Sequence, residues 1–198
     1  MPFIDRLAQM WAVSDTLPDN IDLIGVVSFG ATATRLSNGS QETIEKAAWL
    51  NWICPGAVVA FGEFTKNPVP GVEKERKLYY FPEAVFAGNV ISTIEEAEKI
   101  YAALSPNLRI QRIVFVTDQW HSRSAKLIWE KVWARHGLKP DIRIVTVPSA
   151  FNIDPEHPMT LIRTQWKWAL ANVLRHAFLL LMPFGFDILK KLNVHQPT

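Results

Sequence analysis

The chain has 198 residues, 48% hydrophobic and 20% charged, an ordinary globular composition with enough length for one well-cored domain. Lysine and arginine total 21 against 19 acids, and the net charge of +2 is too balanced for a protein whose main task is gripping nucleic-acid backbones. The single cysteine, Cys54, excludes an intrachain disulfide and a cysteine-based zinc cluster; it fits a reducing compartment and reads as a small buried hydrophobe at a helix end.

The first segment, MPFIDRLAQMWAV, carries Asp5 and Arg6 where a signal peptide needs its apolar core, so no export signal is expected. Ile21 to Phe29 is a near-continuous apolar run ending at Gly30, the pattern of a strand covered on both faces. A helix is expected over Glu42 to Ile53 and a strand over Ala57 to Phe61. Thr65 to Phe81, with two prolines, a charged cluster at Glu73 to Lys77 and three consecutive aromatics, is the least regular stretch and reads as an insertion or lid. There follow a weaker strand at Ala84 to Ala87, a helix at Thr93 to Leu104, a strand at Arg112 to Val116, a helix at Ser122 to His136 and a strand at Ile142 to Val147. A long apolar helix spans about 160–192, best defined from Thr160 to Leu181. Its strongest run, HAFLLLMPFGF, follows Arg175 and is broken by Pro183, leaving fewer than the ~20 residues a membrane-spanning helix needs. The alternation of strand and helix predicts a single α/β domain, with its core at about 21–177. Its sheet is Rossmann-like, open and mainly parallel, with about five strands, helices on both faces and a long C-terminal helix.

Ligands in such sheets bind beyond the carboxyl ends of the strands. Polar residues gather there in five sets: Ser28, Gly30, Thr32, Thr34 and Arg35; Gly62, Glu63 and Thr65; Asn89, Ser92 and Thr93; Thr117, Asp118, His121 and Arg123; Ser149 and Asn152. In the fourth set, VTDQWHSRSA, His121 and Arg123 sit in the first turn of a helix, whose free N–H groups and partial positive charge disfavour cations. An anion held by those N–H groups, a guanidinium and an imidazole accounts for them. Asp118 then orients His121 or caps the helix. The plainer alternative is that Asp118 only caps while His121 and Arg123 meet surface carboxylates. Trp120, inside the polar loop, is placed to cover a ligand ring. Ser92 with Glu95 three residues on is a capping-box pattern. Trp129 and Trp133, one turn apart, read as core, and Arg163, Lys167 and Arg175 as a solvated face, with Arg163 near enough to reach the crevice. The chain lacks GxGxxG after the first strand, GxxxxGK[ST] and GxSxG, which removes support for a standard dinucleotide fold, a P-loop NTPase and an α/β-hydrolase. Asp118 and His121, with Glu63 or His157, offer oxygen and nitrogen ligands without diagnostic spacing, so no metal and no cofactor are assigned.

The segment VTDQWHSRSA resembles the motif of the YdcF-, SanA- and ElyC-like family (domain of unknown function 218), bacterial domains of largely unassigned activity: a strand, Thr or Ser, Asp, an aromatic, His, one residue, Arg and a small residue. Asp118, His121 and Arg123 carry over directly. STIEEA is similar to the family's Asn-Thr-x-Glu-Asn-Ala, with Thr93 and Glu95 matching while Ser92 and Glu96 replace the asparagines. SFGATATR, through Arg35, looks like the glycine-rich first turn, and Phe61, Gly62 and Glu63 match loosely the Ser-Gly-Gly turn and its acid. The resemblance runs from Ile21 to about Ala177. It implies a Rossmann-like fold, a pocket and a link to the bacterial envelope. Relatives often carry an N-terminal membrane segment that is not read here, so a cytoplasmic location is expected.

Together these readings make His121 and Asp118 the candidate catalytic residues, with the imidazole, whose unperturbed pKa is ~6.5, as general acid or base. Gly30, Arg35, Glu63, Ser92, Thr93, Thr117, Trp120 and Arg123 are the candidate binding residues for a small anionic ligand, nucleotide-like or phosphorylated. The rival expectation is a non-catalytic, envelope-associated module whose C-terminal helix contacts a protein or a membrane surface.

Overall fold

A short helix, α1 (Phe3–Trp11), leads into a β/α alternation. The strands are β1 (Leu23–Val26), β2 (Val58–Phe64), β3 (Val85–Val90), β4 (Arg112–Asp118) and β5 (Asp141–Val147). The crossovers are α2 (Asn38–Ile53), α3 (Val72–Tyr80), α4 (Thr93–Ala103) and α5 (Ser122–Arg135), and α6 (Gln165–Leu181) and α7 (Gly185–Val194) close the chain. This computed structural model describes residues 3–13, 15–104, 109–149, 154–181 and 185–194. The strands form one sheet in the order β3-β2-β1-β4-β5, and every pairing is parallel. It is the open Rossmann-like α/β sheet expected, with all of its strands parallel.

Successive side chains of a strand point to opposite faces, and the two cores follow that period. Ile24, Val26, Phe61 and Val114 pack under α2 and α3 on one face. Leu23, Phe115 and Ile144 pack on the other with α4, α5 and α6, through Ile100, Trp129 and Trp168, and with Ile4 and Ala8 of α1. Trp129 lies against Phe115 with ring centroids 4.4 Å apart. The space comes from Gly25, where a Cβ would stand 2.7 Å from atoms of both rings.

Three expectations change. The segment 65–81 is no lid: it contains α3, the β2–β3 crossover, and Glu73 and Lys77 lie one turn apart on its inward side, both buried. Their charge masks the apolar stripe by which a helix is read. The C-terminal helix starts at Gln165 rather than Thr160 and is followed by α7 over Gly185–Val194, with 182–184 outside the described residues. Helix α2 begins at Asn38, four residues before Glu42, because Ser37 Oγ caps it by accepting from Ser40 N and its polar first turn shows no apolar period.

Candidate functional site

The strand order reverses between β1 and β4, where open parallel sheets leave a crevice at their carboxyl ends. A cavity of about 150 Å³ opens there. Its polar wall consists of Ser28 just past β1, Ser92, Thr93 and Glu96 on the first turn of α4 and its cap, His121 at the N-cap of α5, and Arg175 of α6. Phe29, Ile128 and Trp168 are among its apolar lining.

His121 is 2% exposed and its ring is held at both nitrogens. Asn172 Nδ2 donates to the Trp168 carbonyl at 2.9 Å, which turns Asn172 Oδ1 toward His121 Nδ1 at 2.8 Å. An amide oxygen only accepts, so the proton is on Nδ1, and Nε2 accepts from the Thr93 hydroxyl at 2.8 Å. Burial, and next the positive charge of Arg175, push the imidazole down to about 3. His121 is therefore a neutral, acceptor-bearing ring at neutral pH. Arg175 Nη1 lies 3.4 Å from both Asn172 Oδ1 and His121 Nδ1. Burial lowers the pKa of the guanidinium while Asp118 acts in the opposite sense.

Asp118 does not touch the imidazole. Its Oδ1 accepts from the backbone N–H of Trp120 at 2.8 Å and of His121 at 3.2 Å, and from Ser149 Oγ at 2.8 Å. Trp168 Nε1 donates to both carboxyl oxygens, at 3.2 and 3.1 Å. Asp118 thus holds the turn that precedes α5, whose N-cap residue is His121 and carries no side-chain cap. Burial raises its pKa against those donors. Of the two roles open to Asp118, neither the N-cap nor a hydrogen bond to the ring is observed; the ring is oriented by Asn172.

A polar cluster reaches from the cavity wall into the core, with Lys77, Glu73 and Glu96 buried and Ser28 partly exposed. Lys77 Nζ pairs with Glu73 Oε1 at 3.0 Å and donates to Ser28 Oγ at 3.1 Å and Gly62 O at 3.2 Å. Ser28 Oγ is 2.6 Å from Gly62 O and 2.6 Å from Glu96 Oε1. Burial drives the Glu96 carboxyl up to about 7, with Lys77 and Ser28 pulling it down and Glu73 adding to the rise.

Of the anticipated site residues, Ser92, Thr93 and His121 line the cavity and the others do not. Ser92 also caps α4, accepting from Glu95 N at 3.3 Å, while Glu95 Oε2 reaches back to Ile91 N at 2.8 Å. Arg35, 47% exposed at its side chain, pairs with Asp154 at 2.9 Å. Arg123 Nε donates to Trp11 O at 2.6 Å and its guanidinium lies over the Trp11 ring, so it fastens α1. Trp120 is buried against Trp11, centroids 6.2 Å apart, and covers no ligand space. Glu63 Oε1 accepts from Gly71 N at 2.7 Å, holding the turn before α3. Gly30 has φ +89°, and a Cβ there would meet Asn67 Oδ1 at 2.8 Å; it serves the turn after β1. Thr117 is buried in β4, and its hydroxyl has no hydrogen-bond partner among the described residues. Asn152 lies outside the described residues. Among the described residues no three of His, Cys, Asp and Glu gather in an arrangement that holds a metal.

Sequence reasoning passed over Glu96, Lys77, Asn172 and Arg175, and took Arg175 as part of a solvated face. Lys167 and Arg163 are exposed as expected, but Arg175 lines the cavity. A signal was present in the spacing. Trp168, Asn172, Arg175 and Leu179 follow the 4-3-4 steps of one helical face, and Glu96 is four residues before Ile100 on the inward face of α4. Polar residues on an apolar face mark either a buried network or a site.

Fold and cavity together define the class: an open, doubly wound parallel α/β domain whose cavity lies at its topological switch point. No protein-family model matches the chain, and no curated protein or solved structure matches it significantly.

Proposed function

We propose that this cavity binds a small anionic ligand, and that its neighbours handle a proton there. The observation that carries the reading is Arg175, a guanidinium on the cavity wall that donates to the uncharged Asn172 Oδ1 at 3.4 Å and lies beside the neutral His121. An anion is the natural counter-charge for such a group. The hydroxyl of Ser92 at the positive end of α4 adds a donor of the right kind, while the Thr93 proton is held by His121 Nε2. The volume of about 150 Å³ is below the usual 300–1,000 Å³ of metabolite pockets, so a phosphate or carboxylate group enters while the rest of a nucleotide-like ligand stays outside. Burial is the main cause of the low basicity of His121 and the charge of Arg175 the next; an anion beside Arg175 offsets the second and moves the ring toward an acid–base role. The likeness of VTDQWHSRSA and STIEEA to the YdcF-like family supports a bacterial, envelope-linked setting, with the domain itself on the cytoplasmic side.

Thermal shift with inorganic phosphate, acetate and adenine nucleotides, on wild type and Arg175→Gln, tests the reading, because a ligand bound to the native state raises the melting temperature by mass action. A rise in wild type that Arg175→Gln removes supports it; equal rises in both, or none in either, overturn it.

A second reading, a non-catalytic interaction module, draws on α6. Trp166, Leu170 and Leu174, at four-residue spacing, are 61%, 60% and 60% exposed, an outward apolar stripe with Lys167 beside it. Such a stripe suits a partner protein or the interfacial zone of an anionic membrane. Among the described residues no helix is long and apolar enough to cross a membrane. Sedimentation with anionic vesicles, lost in Leu170→Glu/Leu174→Glu, supports surface attachment; no sedimentation of wild type overturns it.

A further inference from the structure

The contacts of Ser28 fix where a proton sits. Its hydroxyl oxygen has three polar neighbours: Lys77 Nζ at 3.1 Å, Gly62 O at 2.6 Å and Glu96 Oε1 at 2.6 Å. The ammonium donates and the carbonyl accepts. A hydroxyl carries one proton. If that proton goes to an ionised Glu96, Ser28 Oγ and Gly62 O face each other at 2.6 Å with no hydrogen between them, which is repulsive. If it goes to Gly62 O, the contact with Glu96 requires a proton from the carboxyl group. Only a protonated Glu96 gives every contact a hydrogen.

The charge count agrees. Glu73 is an acceptor-only carboxylate: besides Lys77 it takes Phe64 N at 2.8 Å, Asn67 Nδ2 at 3.1 Å and Gly30 N at 3.2 Å. Its charge is matched by the Lys77 ammonium, which reaches Glu73, Ser28 and Gly62 at 3.0 to 3.2 Å and the Val27 carbonyl at 3.5 Å. An ionised Glu96 would be a third, unbalanced charge in the same dry space. The other charged group on this wall is Arg175 of α6, and His121 at the start of α5 is neutral. On α4 itself, Glu95 is paired with Lys99 at 2.8 Å. Burial of the Glu96 carboxyl acts in the same direction as this geometry.

We propose that Glu96 is a neutral carboxylic acid at neutral pH and the proton-bearing group of the cavity, so that a small carboxylate held by Arg175 is bound only while that proton stays in place. This rests on the anion-binding reading above. Glu96 Oε1 bears the proton toward Ser28 and accepts from Gly62 N, so Oε2 is an uncharged carbonyl oxygen while the proton is in place. Loss of the proton places a carboxylate beside the bound anion and opposes it. Occupancy then follows the protonated fraction of Glu96, and the apparent affinity falls with that fraction.

The test pairs carboxyl ¹³C NMR of ligand-free protein, labelled at the glutamate side chains, with acetate binding from pH 6 to pH 9, a range over which acetate keeps its charge. Wild type, Glu96→Gln and Arg175→Gln are compared. In Glu96→Gln the amide donates to Ser28 Oγ as the acid does, with only the 3.3 Å contact from Gly62 N given up, and the variant assigns the resonance. The expected result is one carboxyl resonance, absent in Glu96→Gln, that titrates near neutrality, with wild-type acetate affinity falling about tenfold between pH 6 and pH 8 and no such fall in Glu96→Gln. A Glu96 resonance that titrates with the surface carboxylates overturns the neutral acid. Binding that is independent of pH in wild type but lost in Arg175→Gln overturns the linkage and leaves the anion site standing. No acetate binding at any pH, with the resonance titrating near neutrality, overturns the linkage and the carboxylate site while leaving the neutral acid.

Discussion

Asn172 Oδ1 lies 2.8 Å from His121 Nδ1, and this one contact decides the chemistry of the ring. It sets the Nδ1–H tautomer and turns Nε2 into an acceptor for Thr93, while burial and the charge of Arg175 keep the imidazole neutral against the opposite pull of Asn172. Replacing Asn172 with Asp puts a carboxylate at the same point, and opposite charge at that distance raises the histidine pKa by roughly one to three pH units. NMR titration checks this: wild-type His121 shows no titration between pH 5 and 8, and Asn172→Asp moves its titration upward toward that range.

Glu96 and His121 give stability opposite slopes with pH. The Glu96 carboxyl is raised from 4.5 to about 7 in the fold, so the native state holds the extra proton. Its contribution is full below about pH 4.5 and is lost as pH rises to about 7, on the order of 3 kcal/mol. His121 is lowered from 6.5 to about 3, so the unfolded state holds the extra proton, and its contribution is full above about pH 6.5 and is lost on acidification toward 3. Urea unfolding across pH 4 to 8 should show Glu96→Gln gaining stability relative to wild type as pH rises. An unchanged difference across that range counts against the raised carboxyl.

Arg123 and Arg175 should separate cleanly. Arg123 ties Trp11 and α1 to α5, so Arg123→Ala lowers stability by about 1 to 3 kcal/mol and leaves anion-induced thermal shifts intact. Arg175→Gln removes those shifts. Melting curves of both variants with and without ligand distinguish the two roles.

Lys77→Ala strands the Glu73 carboxylate in a fully buried site. Removing one partner of a buried pair costs about 3 to 5 kcal/mol, to be read from the denaturant midpoint at constant m-value.

Gly30→Ala forces a Cβ into a left-handed turn at φ +89° and against Asn67 Oδ1. The expected loss is about 1 to 3 kcal/mol, measured by thermal unfolding. A variant as stable as wild type would argue that the turn relaxes.

Five apolar runs and the helices between them determined the sheet and its two covered faces, because periodicity and burial on both sides are local properties of the chain. The loop after β4 was legible as a gathering of polar groups at a strand end, and of its anticipated site residues His121 alone lines the cavity. What only the tertiary structure decided is which polar groups share the cavity. Glu96, Asn172 and Arg175 come from α4 and α6, brought to His121 by packing across distances in sequence that no local pattern encodes. Arg123 and Trp120, within the motif itself, were instead taken by Trp11, and Arg35 by Asp154. The same packing removes water from Glu96 and His121, and that desolvation, rather than residue type, sets which of them holds a proton.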